Sequence, residues 1–316
     1  MDEGGSMFAI VVHGGAGVWR RATAGAALAG VTAAAEVGRR ILEAGGSALD
    51  AVVAAVVELE DDPTFNAGTG CVLNLEGRAE LDAGVMVGEG LRTGNVGCLV
   101  KVKNPVLVAR KVMEDTHHVL LCGEGALRFA RAKGFAEYDP VTPERRAEYH
   151  RRRHALMHEK AMEGHAHYDW LRPYVDLAPG TVGAVALDGK QGLAAATSTG
   201  GIALKLPGRV GDTPIPGAGN YATPTGAASA TGQGELMLRS LATKSVCDAV
   251  SQGMDAGQAV QRALSRIAGE LGKDLGIIAV DVNGQLGIAH ETPFMPHAFY
   301  DAASAKIVAR MAVSAS

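Results

Sequence analysis

Aromatic and basic side chains are both scarce in this chain. Of its 316 residues, 4% are aromatic, and 30 Lys and Arg stand against 34 Asp and Glu, which leaves a net charge of -4. A mildly acidic chain gives no electrostatic reason to expect a nucleic acid partner. No apolar run approaches the roughly 20 residues that cross a bilayer, so we expect no membrane partner either.

Cysteine is scarce as well, and so are the signals of secretion. The four cysteines lie far apart with no Cys-x-x-Cys spacing: Cys71, Cys98, Cys122 and Cys247. This spacing argues against a disulfide framework or a zinc ribbon and favours a reducing compartment. Residues 1–6 are acidic and lack the basic start and apolar middle of a signal peptide. These absences predict a cytoplasmic protein.

Small and apolar residues are what the chain has in quantity. Gly accounts for 42 residues and hydrophobic residues for 47% of the chain, against 20% charged residues. The composition predicts a large buried core in which the elements pack closely. A length of 316 residues allows one large domain or two ordinary ones, and no internal repeat stands out.

Turn signals and hydrophobic periodicity divide the region before Phe135 into short elements. The predicted strands cover residues 7–13, 71–75, 78–81 and 95–102. The predicted helices cover about residues 23–44 and 47–60, and a third begins at Asn104-Pro105. Ser47 and Asp50 have the spacing of a capping box, which supports the second of these helices.

The character of the sequence changes after Gly134. Between about residues 135 and 180 the chain holds many charges, five of its ten histidines and four prolines, with little apolar periodicity. We expect a flexible linker there, because a structureless stretch of this length inside a compact domain is unusual. Order returns with two predicted hairpins and two predicted helices. The hairpins pair residues 182–187 with 193–197 and 277–282 with 285–290, and the helices cover about 234–252 and 256–271.

Helices cluster with helices along the chain, and hairpins cluster with hairpins. Consecutive strands are mostly joined by tight turns, as at Asp188-Gly189 and Asn283-Gly284. This order favours antiparallel sheets covered by helices over an alternating parallel sheet. The expected class is therefore α+β.

Thr181 stands where the linker ends and a strand begins, directly after Gly180. A threonine hydroxyl is a weak nucleophile unless a base lies beside it, and cutting the preceding peptide bond would free the residue's own α-amino group as that base. The ordinary pKa of this amine is about 7.7–8.0, against about 10.4 for lysine, so a sizeable share is neutral near neutral pH. A Gly-Thr pair alone is most often an ordinary strand start, so the surrounding motifs decide.

Several motifs in fixed order surround this pair. Before it come His13-Gly14-Gly15-Ala16-Gly17, Asn66-Ala67-Gly68-Thr69-Gly70 and Leu81-Asp82-Ala83. From it onwards come Gly180-Thr181-Val182-Gly183, Thr197-Ser198-Thr199-Gly200-Gly201, Lys205-Leu206-Pro207-Gly208-Arg209-Val210-Gly211-Asp212, Gly217-Ala218-Gly219-Asn220-Tyr221-Ala222 and Thr231-Gly232-Gln233-Gly234-Glu235. Together they resemble the plant-type asparaginases, also called isoaspartyl aminopeptidases, of the N-terminal-nucleophile hydrolase superfamily. The resemblance covers nearly the whole chain except the linker.

The resemblance implies a fold and an activity. The fold would be a four-layer αββα sandwich in one domain of residues 1–316, cut into an α chain of residues 1–180 and a β chain of residues 181–316. The activity would be hydrolysis of L-asparagine and of β-aspartyl dipeptides through an aspartyl ester on Thr181. No organic cofactor is implied, and two αβ units would associate as (αβ)2.

The resemblance also implies roles for individual residues. Thr199 would tune the nucleophile, and the Thr231 hydroxyl and Gly232 N–H would form an oxyanion hole, with both groups also contacting substrate. Arg209 would hold the substrate α-carboxylate with its planar fork, and Asp212 would pair with the α-ammonium group.

Two further features follow from the family. Asn66 would lie beside the nucleophile. A structural alkali cation, such as sodium, would be held by main-chain carbonyls of the preceding loop, since hard cations favour oxygen ligands. The matching residues are Leu59, Glu60, Asp62, Phe65, Ala67 and Thr69.

Taken singly, several of these features have plainer interpretations. Arg209 and Asp212 would more often be a surface ion pair. The glycines after residue 13 suggest a dinucleotide loop, but Arg20 stands where the third glycine belongs. Three histidines at helical spacing could bind a metal, although a solvated linker is favoured because no carboxylate or cysteine completes a site. They are His150, His154 and His158.

Departures from the family pattern leave the leaving group open. The family commonly has Asn where Leu204 stands, and Asp or Asn where Thr223-Pro224 follows the Gly-Asn-Tyr-Ala motif. Residues 212–219 resemble the glycosylasparaginases as much as the plant type, although those usually have Asp in place of Gly180 and are commonly secreted. The rival predictions are therefore a glycosylasparaginase and a non-catalytic binding protein of the same fold that never matures.

Overall fold

Twelve strands and eight α-helices occur in the residues that this computed structural model describes, 7–163 and 180–313. The helices are α1 Arg21–Glu43, α2 Ala48–Asp61, α3 Pro105–Asp115, α4 Gly123–Ala132, α5 Pro143–Glu163, α6 Gly234–Ser240, α7 Ala242–Ser251 and α8 Ala256–Glu270. The strands are β1 Ala9–His13, β2 Leu81–Val87, β3 Thr93–Leu99, β4 Leu120–Cys122, β5 Val182–Leu187, β6 Leu193–Thr199, β7 Asn220–Ala222, β8 Gly226–Gly232, β9 Leu275–Asp281, β10 Leu286–His290, β11 His297–Asp301 and β12 Lys306–Arg310.

The strands form two sheets. One has the order β12-β11-β1-β5-β6-β2-β3-β4 and the other has the order β10-β9-β8-β7. Neighbouring strands are antiparallel except β3 and β4. Both predicted hairpins are confirmed: β5 pairs with β6, and β9 pairs with β10. The strand that follows Thr181 therefore lies in the middle of the larger sheet.

Successive side chains of a strand point to opposite faces of its sheet, and each sheet here packs against an apolar layer on both faces. On β1, Ile10 packs with helices α1–α4, whereas Val11 faces the smaller sheet. On β9, Ile277 packs with helices α6–α8, whereas Ile278 faces the larger sheet. The result is helices, sheet, sheet and helices in four layers. The predicted α+β class and the αββα sandwich are confirmed.

Three local predictions were wrong. The linker prediction fails over residues 143–163, which form α5; residues 164–179 of the predicted linker lie outside the described residues. Residues 71–75 and 78–81 have irregular backbone around a turn, and only Leu81 begins a strand. The predicted helix over 234–252 is interrupted at Leu241, whose φ of 46° separates α6 from α7.

Within the described ranges, every helix is too short or too polar to span a bilayer.

Candidate active site

One cleft with about 440 Å³ of empty space collects residues from both sheets. Its walls come from the start of β5, the ends of β6 and β8, and the loops that follow β1, β6 and β8. They are formed by Ala16, Gly180, Thr181, Thr199, Gly201, Ile202, Ala203, Arg209, Gly211, Asp212, Gly232 and Gly234. Most of the predicted site residues therefore meet in this cleft, while Thr231 and Asn66 lie behind its walls.

Thr181 occupies the position just before β5, and only 5% of its surface is exposed. Gly180, on the other side of the predicted cut, lies against the loop after β1. Gly15 in that loop has a φ of 109°, and a side chain there would approach the nitrogen and oxygen of Gly180 to 2.9 Å. Both conditions require glycine at position 15, so the Gly-Gly-Ala-Gly motif has a physical reason in this contact.

Thr199 ends β6 beside Thr181. Its hydroxyl oxygen accepts a hydrogen bond from the N–H of Gly201 at 2.9 Å. Because a hydroxyl can accept and donate at the same time, this contact leaves its hydrogen available to a neighbour in the cleft. The arrangement allows Thr199 to act on the nucleophile, as the resemblance implies.

The second sheet supplies Thr231 and Gly232 at the end of β8. The Thr231 hydroxyl accepts the N–H of Ala16 at 3.1 Å, which ties the two sheets together beside Gly180. Gly232 has a φ of 119°, and a side chain there would collide with the carbonyl oxygen of Asp274. Glycine is therefore required where the chain turns into the cleft, which leaves the backbone of this turn open to a substrate oxygen.

The spacing of Arg209 and Asp212 in the sequence suggests a surface ion pair between them. The structure does not form this pair. The Arg209 guanidinium instead donates from Nε and Nη2 to Oε1 of Glu235, at 3.1 and 2.9 Å. Glu235 is the second residue of helix α6, and its side chain is 48% exposed, whereas the Arg209 side chain is 17% exposed. Sequence reasoning missed Glu235, although it belongs to the Thr-Gly-Gln-Gly-Glu motif.

The carboxylate of Asp212 is buried, with 3% of the residue exposed. Among the residues that the structure describes, none forms a hydrogen bond with its Oδ2. Burial raises the pKa of Asp212 to about 7, although the positive charge of Arg209 opposes the shift. A buried carboxylate oxygen that forms no hydrogen bond raises the free energy of the folded protein. A cation bound in the cleft would therefore stabilise the carboxylate of Asp212.

Two glycines make room around these charged groups. A side chain at Gly234 would lie 2.7 Å from Oδ1 of Asp212 and 2.9 Å from Nη2 of Arg209. A side chain at Gly211 would lie 2.8 Å from Nη1 of Arg209. The space in front of the guanidinium and the carboxylate therefore exists because these positions have no side chain.

Asp82 holds the loop that carries both groups. Its buried carboxylate accepts the N–H of Cys98 at 2.8 Å on one oxygen and the N–H of Gly211 at 3.4 Å on the other. Burial raises the pKa of Asp82, while the positive charge of Lys205 acts in the opposite direction. The Leu-Asp-Ala motif thus contributes a support for the Arg209–Asp212 loop.

Asn66 lies beneath the turn that follows Thr199. Its side chain donates to the carbonyl oxygen of Gly201 at 2.7 Å and accepts the N–H of Val72 at 2.8 Å. The structure thus places Asn66 where it supports this turn, outside the cleft lining.

A row of buried polar side chains lies behind β5, the strand that follows Thr181. His13 Nε2 lies 2.8 Å from the Ser229 hydroxyl, which lies 3.0 Å from the Thr197 hydroxyl. Burial lowers the pKa of His13 to about 3, so its imidazole is neutral at physiological pH. Sequence reasoning named His13 and Thr197 only as parts of motifs, because pairing of side chains from β1, β6 and β8 depends on the tertiary fold.

Residues 59–69, the segment predicted to hold an alkali cation, consist of the end of α2 up to Asp61 and the irregular turns that follow it. Gly68 has a φ of 49°, and a side chain there would lie 2.5 Å from the carbonyl oxygen of Glu60 and 2.9 Å from that of Lys103. The Glu60 oxygen already accepts the N–H of Thr69 at 2.7 Å, but a carbonyl oxygen has a second lone pair.

Three of the five histidines of the predicted linker, His150, His154 and His158, lie on α5, and the other two fall outside the described residues. The rings of His154 and His158 stack with centroids 6.5 Å apart. Across residues 7–163 and 180–313, no group of three or more His, Cys, Asp or Glu side chains could hold a metal ion.

Comparisons with known proteins agree with this geometry. A model of the asparaginase family matches residues 6–309. The plant-type L-asparaginase of Pyrococcus furiosus is 48% identical over 301 residues, covering 93% of this chain and 96% of the relative. The isoaspartyl peptidase of Escherichia coli is 42% identical with 92% of both chains covered, and the isoaspartyl peptidase/L-asparaginase of Bos taurus is 43% identical with 85% of both covered. This chain therefore belongs to the asparaginase family.

Proposed function

We propose that the chain is a threonine amidohydrolase that converts L-asparagine and β-aspartyl dipeptides to L-aspartate. The observation that carries the proposal is the convergence of Thr181, Arg209 and Asp212 in one cleft. An aspartyl group with a free end carries an α-carboxylate and an α-ammonium group, and the cleft has an opposite charge for each. The names of the relatives, asparaginase and isoaspartyl peptidase, support the same substrates.

The proposal includes a cut between Gly180 and Thr181, which would yield an α chain of residues 1–180 and a β chain of residues 181–316. In the uncut chain the Thr181 nitrogen belongs to a peptide bond and cannot accept a proton. Cleavage would convert it into an amine next to the hydroxyl it must activate. The tight approach of Gly15 to Gly180 supports this proposal, since it holds the scissile bond in a defined place.

The chemistry then needs only groups of this chain. The Thr181 hydroxyl oxygen attacks the side-chain carbonyl carbon of the aspartyl amide, and its proton passes to the Thr181 amine. The oxygen of the tetrahedral intermediate accepts a hydrogen bond from the Gly232 N–H. The Thr231 hydroxyl, which accepts the Ala16 N–H from behind the cleft wall, would donate its own hydrogen to the same oxygen. Collapse breaks the carbon–nitrogen bond, the leaving amine takes the proton, and an aspartyl ester remains on Thr181. Water activated by the same amine then releases L-aspartate.

A comparison of three substrates tests this proposal and its nearest rival. Asparagine and β-Asp-Leu share the aspartyl half and differ in the leaving amine, so both should be hydrolysed. The extra residue of the dipeptide adds binding energy outside the aspartyl pocket, and such remote binding can raise turnover. We expect kcat/KM to be higher for β-Asp-Leu than for asparagine, and lowest for an N-linked glycosylasparagine. A preference for the glycosylasparagine would identify a glycosylasparaginase instead.

The proposed activity has a defined pH dependence. The pKa of Asp212 is raised to about 7 by burial, while Arg209 opposes the shift and Glu235 and Asp82 add to it. Asp212 pairs with an α-ammonium group only as a carboxylate, so binding is present above about pH 7 and is lost below it. The Thr181 amine, with an ordinary pKa of about 7.7–8.0, must also be neutral, which acts in the same direction.

We therefore expect kcat/KM for asparagine, measured between about pH 5 and 9, to fall toward acid with a midpoint near pH 8 that the Thr181 amine sets, and to fall more steeply below about pH 7, where Asp212 is protonated as well. The Asp212→Asn variant should keep only the part of this decline that comes from the Thr181 amine. An identical acid limb in both proteins would show that Asp212 does not titrate in the reaction.

Three further features belong to the proposal. A structural sodium ion would be held by carbonyl oxygens of the residues 59–69 loop, where the oxygen of Glu60 already faces Gly68. Two αβ units would associate as (αβ)2. The cytoplasm would be the working compartment, which agrees with the four cysteines being free thiols.

A further inference from the structure

Residues 201–205, here named the wall segment, follow β6 and form one side of the cleft. Gly201, Ile202 and Ala203 line the cleft together with Thr181 and Arg209. The wall segment has no regular secondary structure, so its position depends on contacts with its neighbours. A change in its position changes the shape of the cleft directly.

The far end of the wall segment is joined to residues 73–75. The N–H of Leu204 donates to the carbonyl oxygen of Leu73 at 2.8 Å, and the N–H of Leu75 donates to that of Lys205 at 2.9 Å. These two bonds resemble a short ladder between two irregular segments. Whatever fixes residues 73–75 therefore also fixes the wall segment.

Helix α5 covers both segments from outside. Leu156 of α5 is fully buried and packs against Leu204, which is 3% exposed. The Tyr149 hydroxyl donates to the carbonyl oxygen of Leu75 at 3.1 Å. Earlier on the helix, Arg145 Nε donates to the carbonyl oxygen of Gly70 at 2.5 Å. The helix therefore contacts the wall segment directly and also through residues 70–75.

Glu148 of α5 forms hydrogen bonds with two arginines of the same helix. Glu148 accepts from Arg145 at 2.9 Å and from Arg152 at 2.8 Å. These three side chains border a small cavity whose other walls include Ala203 and Leu204. Ala203 thus has the substrate cleft on one side and α5 on the other.

The conformation of Leu204 shows that this packing matters. Its φ of 61° lies in the left-handed region, which a leucine rarely adopts. A strained backbone of this kind persists only where the surrounding structure stabilises it. Leu204 packs in an apolar cluster with Leu156 of α5, and Leu75 and Tyr149 pack against the same cluster.

We propose that helix α5 positions the substrate-binding wall, with Leu156 and Tyr149 as positioning residues for the reaction. This inference rests on the proposed function for its substrate, but its structural part does not. Since α5 precedes Gly180, the proposed cut would leave it attached to the β chain by non-covalent contacts alone. The segment before the cut would then have a lasting role in the mature enzyme.

The test compares Leu156→Ala with Met157→Ala, a control on the adjacent residue, which is 40% exposed. We expect Leu156→Ala to raise KM for asparagine by about tenfold while kcat stays within about twofold, since a loosened wall weakens binding more than chemistry. Met157→Ala should match wild type, and Leu156→Met should restore most of the KM. An unchanged KM in Leu156→Ala, or a loss confined to kcat or to stability, would overturn the proposal.

Hydrogen exchange gives a second readout that does not depend on activity. In Leu156→Ala, amides of residues 203–205 should exchange at least about tenfold faster than in wild type, while β5 stays protected. Tyr149→Phe removes only one hydroxyl and should increase the exchange rate of the same amides by a smaller factor. This variant therefore tests the proposal even if Leu156→Ala folds poorly. If the enzyme proves inactive on asparagine, the proposed function fails, and the exchange data alone decide the role of α5.

A double variant locates the effect in the Leu156–Leu204 contact. Leu204→Ala should raise KM as Leu156→Ala does, and the combined variant should be no worse than either single one, because both remove the same contact. Fully multiplicative effects on KM would show that the two residues act separately and would contradict this part of the proposal.

Discussion

Purified Thr181→Ala protein should remain one full-length chain and lose hydrolysis of both asparagine and β-Asp-Leu by at least about 10⁴-fold. The substitution removes the hydroxyl that would attack the Gly180 carbonyl during maturation and the aspartyl carbonyl during turnover. Because Thr181 precedes β5 without belonging to it and alanine is smaller than threonine, we expect the fold to survive. Intact-mass spectrometry reports the cut, and ammonia release reports the activity.

Two variants sharpen this experiment. Thr181→Ser keeps a hydroxyl and should retain part of both cleavage and activity, whereas Thr23→Ala, at an exposed threonine of α1, should behave as wild type. Efficient cleavage of isolated Thr181→Ala would show that self-processing by this hydroxyl is wrong. A wild-type protein that stays uncut after long incubation and binds aspartate without hydrolysing asparagine would favour the non-catalytic binding protein.

Asp212→Asn should lower kcat/KM for asparagine by roughly 30- to 150-fold, which corresponds to about 2–3 kcal/mol for one hydrogen bond between charged groups. One buried oxygen of the carboxylate has no hydrogen-bond partner within residues 7–163 and 180–313, and the α-ammonium group of the substrate would supply one. An amide keeps the shape of the side chain but cannot pair with the positive charge. Steady-state kinetics on cleaved protein measure the loss.

Stability separates this effect from damage to the fold. Between about pH 4 and 7 the folded state binds the extra proton of Asp212, because burial raises its pKa from 3.8 to about 7, so this group lowers stability as pH rises through that window. Asp212→Asn removes that loss and should have a Tm equal to or above wild type at pH 8. Asp248→Asn, at a half-exposed residue paired with Lys244, is the matched control with unchanged kinetics. Unaltered kcat/KM in Asp212→Asn would refute its role in binding.

Strands with strong local signals could be predicted from the sequence. The β5–β6 hairpin has two buried apolar runs joined at Asp188-Gly189, and Asp188 itself accepts the N–H of Lys190 and of Gly192, at 2.9 Å each. Ser47 caps α2 by accepting the N–H of Asp50 at 3.1 Å, as the capping box predicts. In each case the residues that set the structure lie within a few positions of each other.

Elements whose stability comes from distant residues were missed. Helix α5 has many charges and little periodicity, because its apolar contact is narrow and centres on Leu156. The break at Leu241 does not appear in helix propensity, since leucine is a good helix former. The short edge strands β4 and β7 have three residues each, too few for an alternating pattern.

The sequence by itself determined the family, the nucleophile and the two charges of the substrate pocket as predictions, because each depends on residues that stand in short motifs of fixed order. Only the tertiary structure decided how those motifs meet. It paired Arg209 with Glu235, left one oxygen of Asp212 without a hydrogen-bond partner in the described part of the chain, and set α5 against the wall of the cleft. The physical reason is that hydrogen bonding, burial and desolvation depend on which side chains lie within a few ångströms, and here those side chains come from strands and helices far apart in the chain.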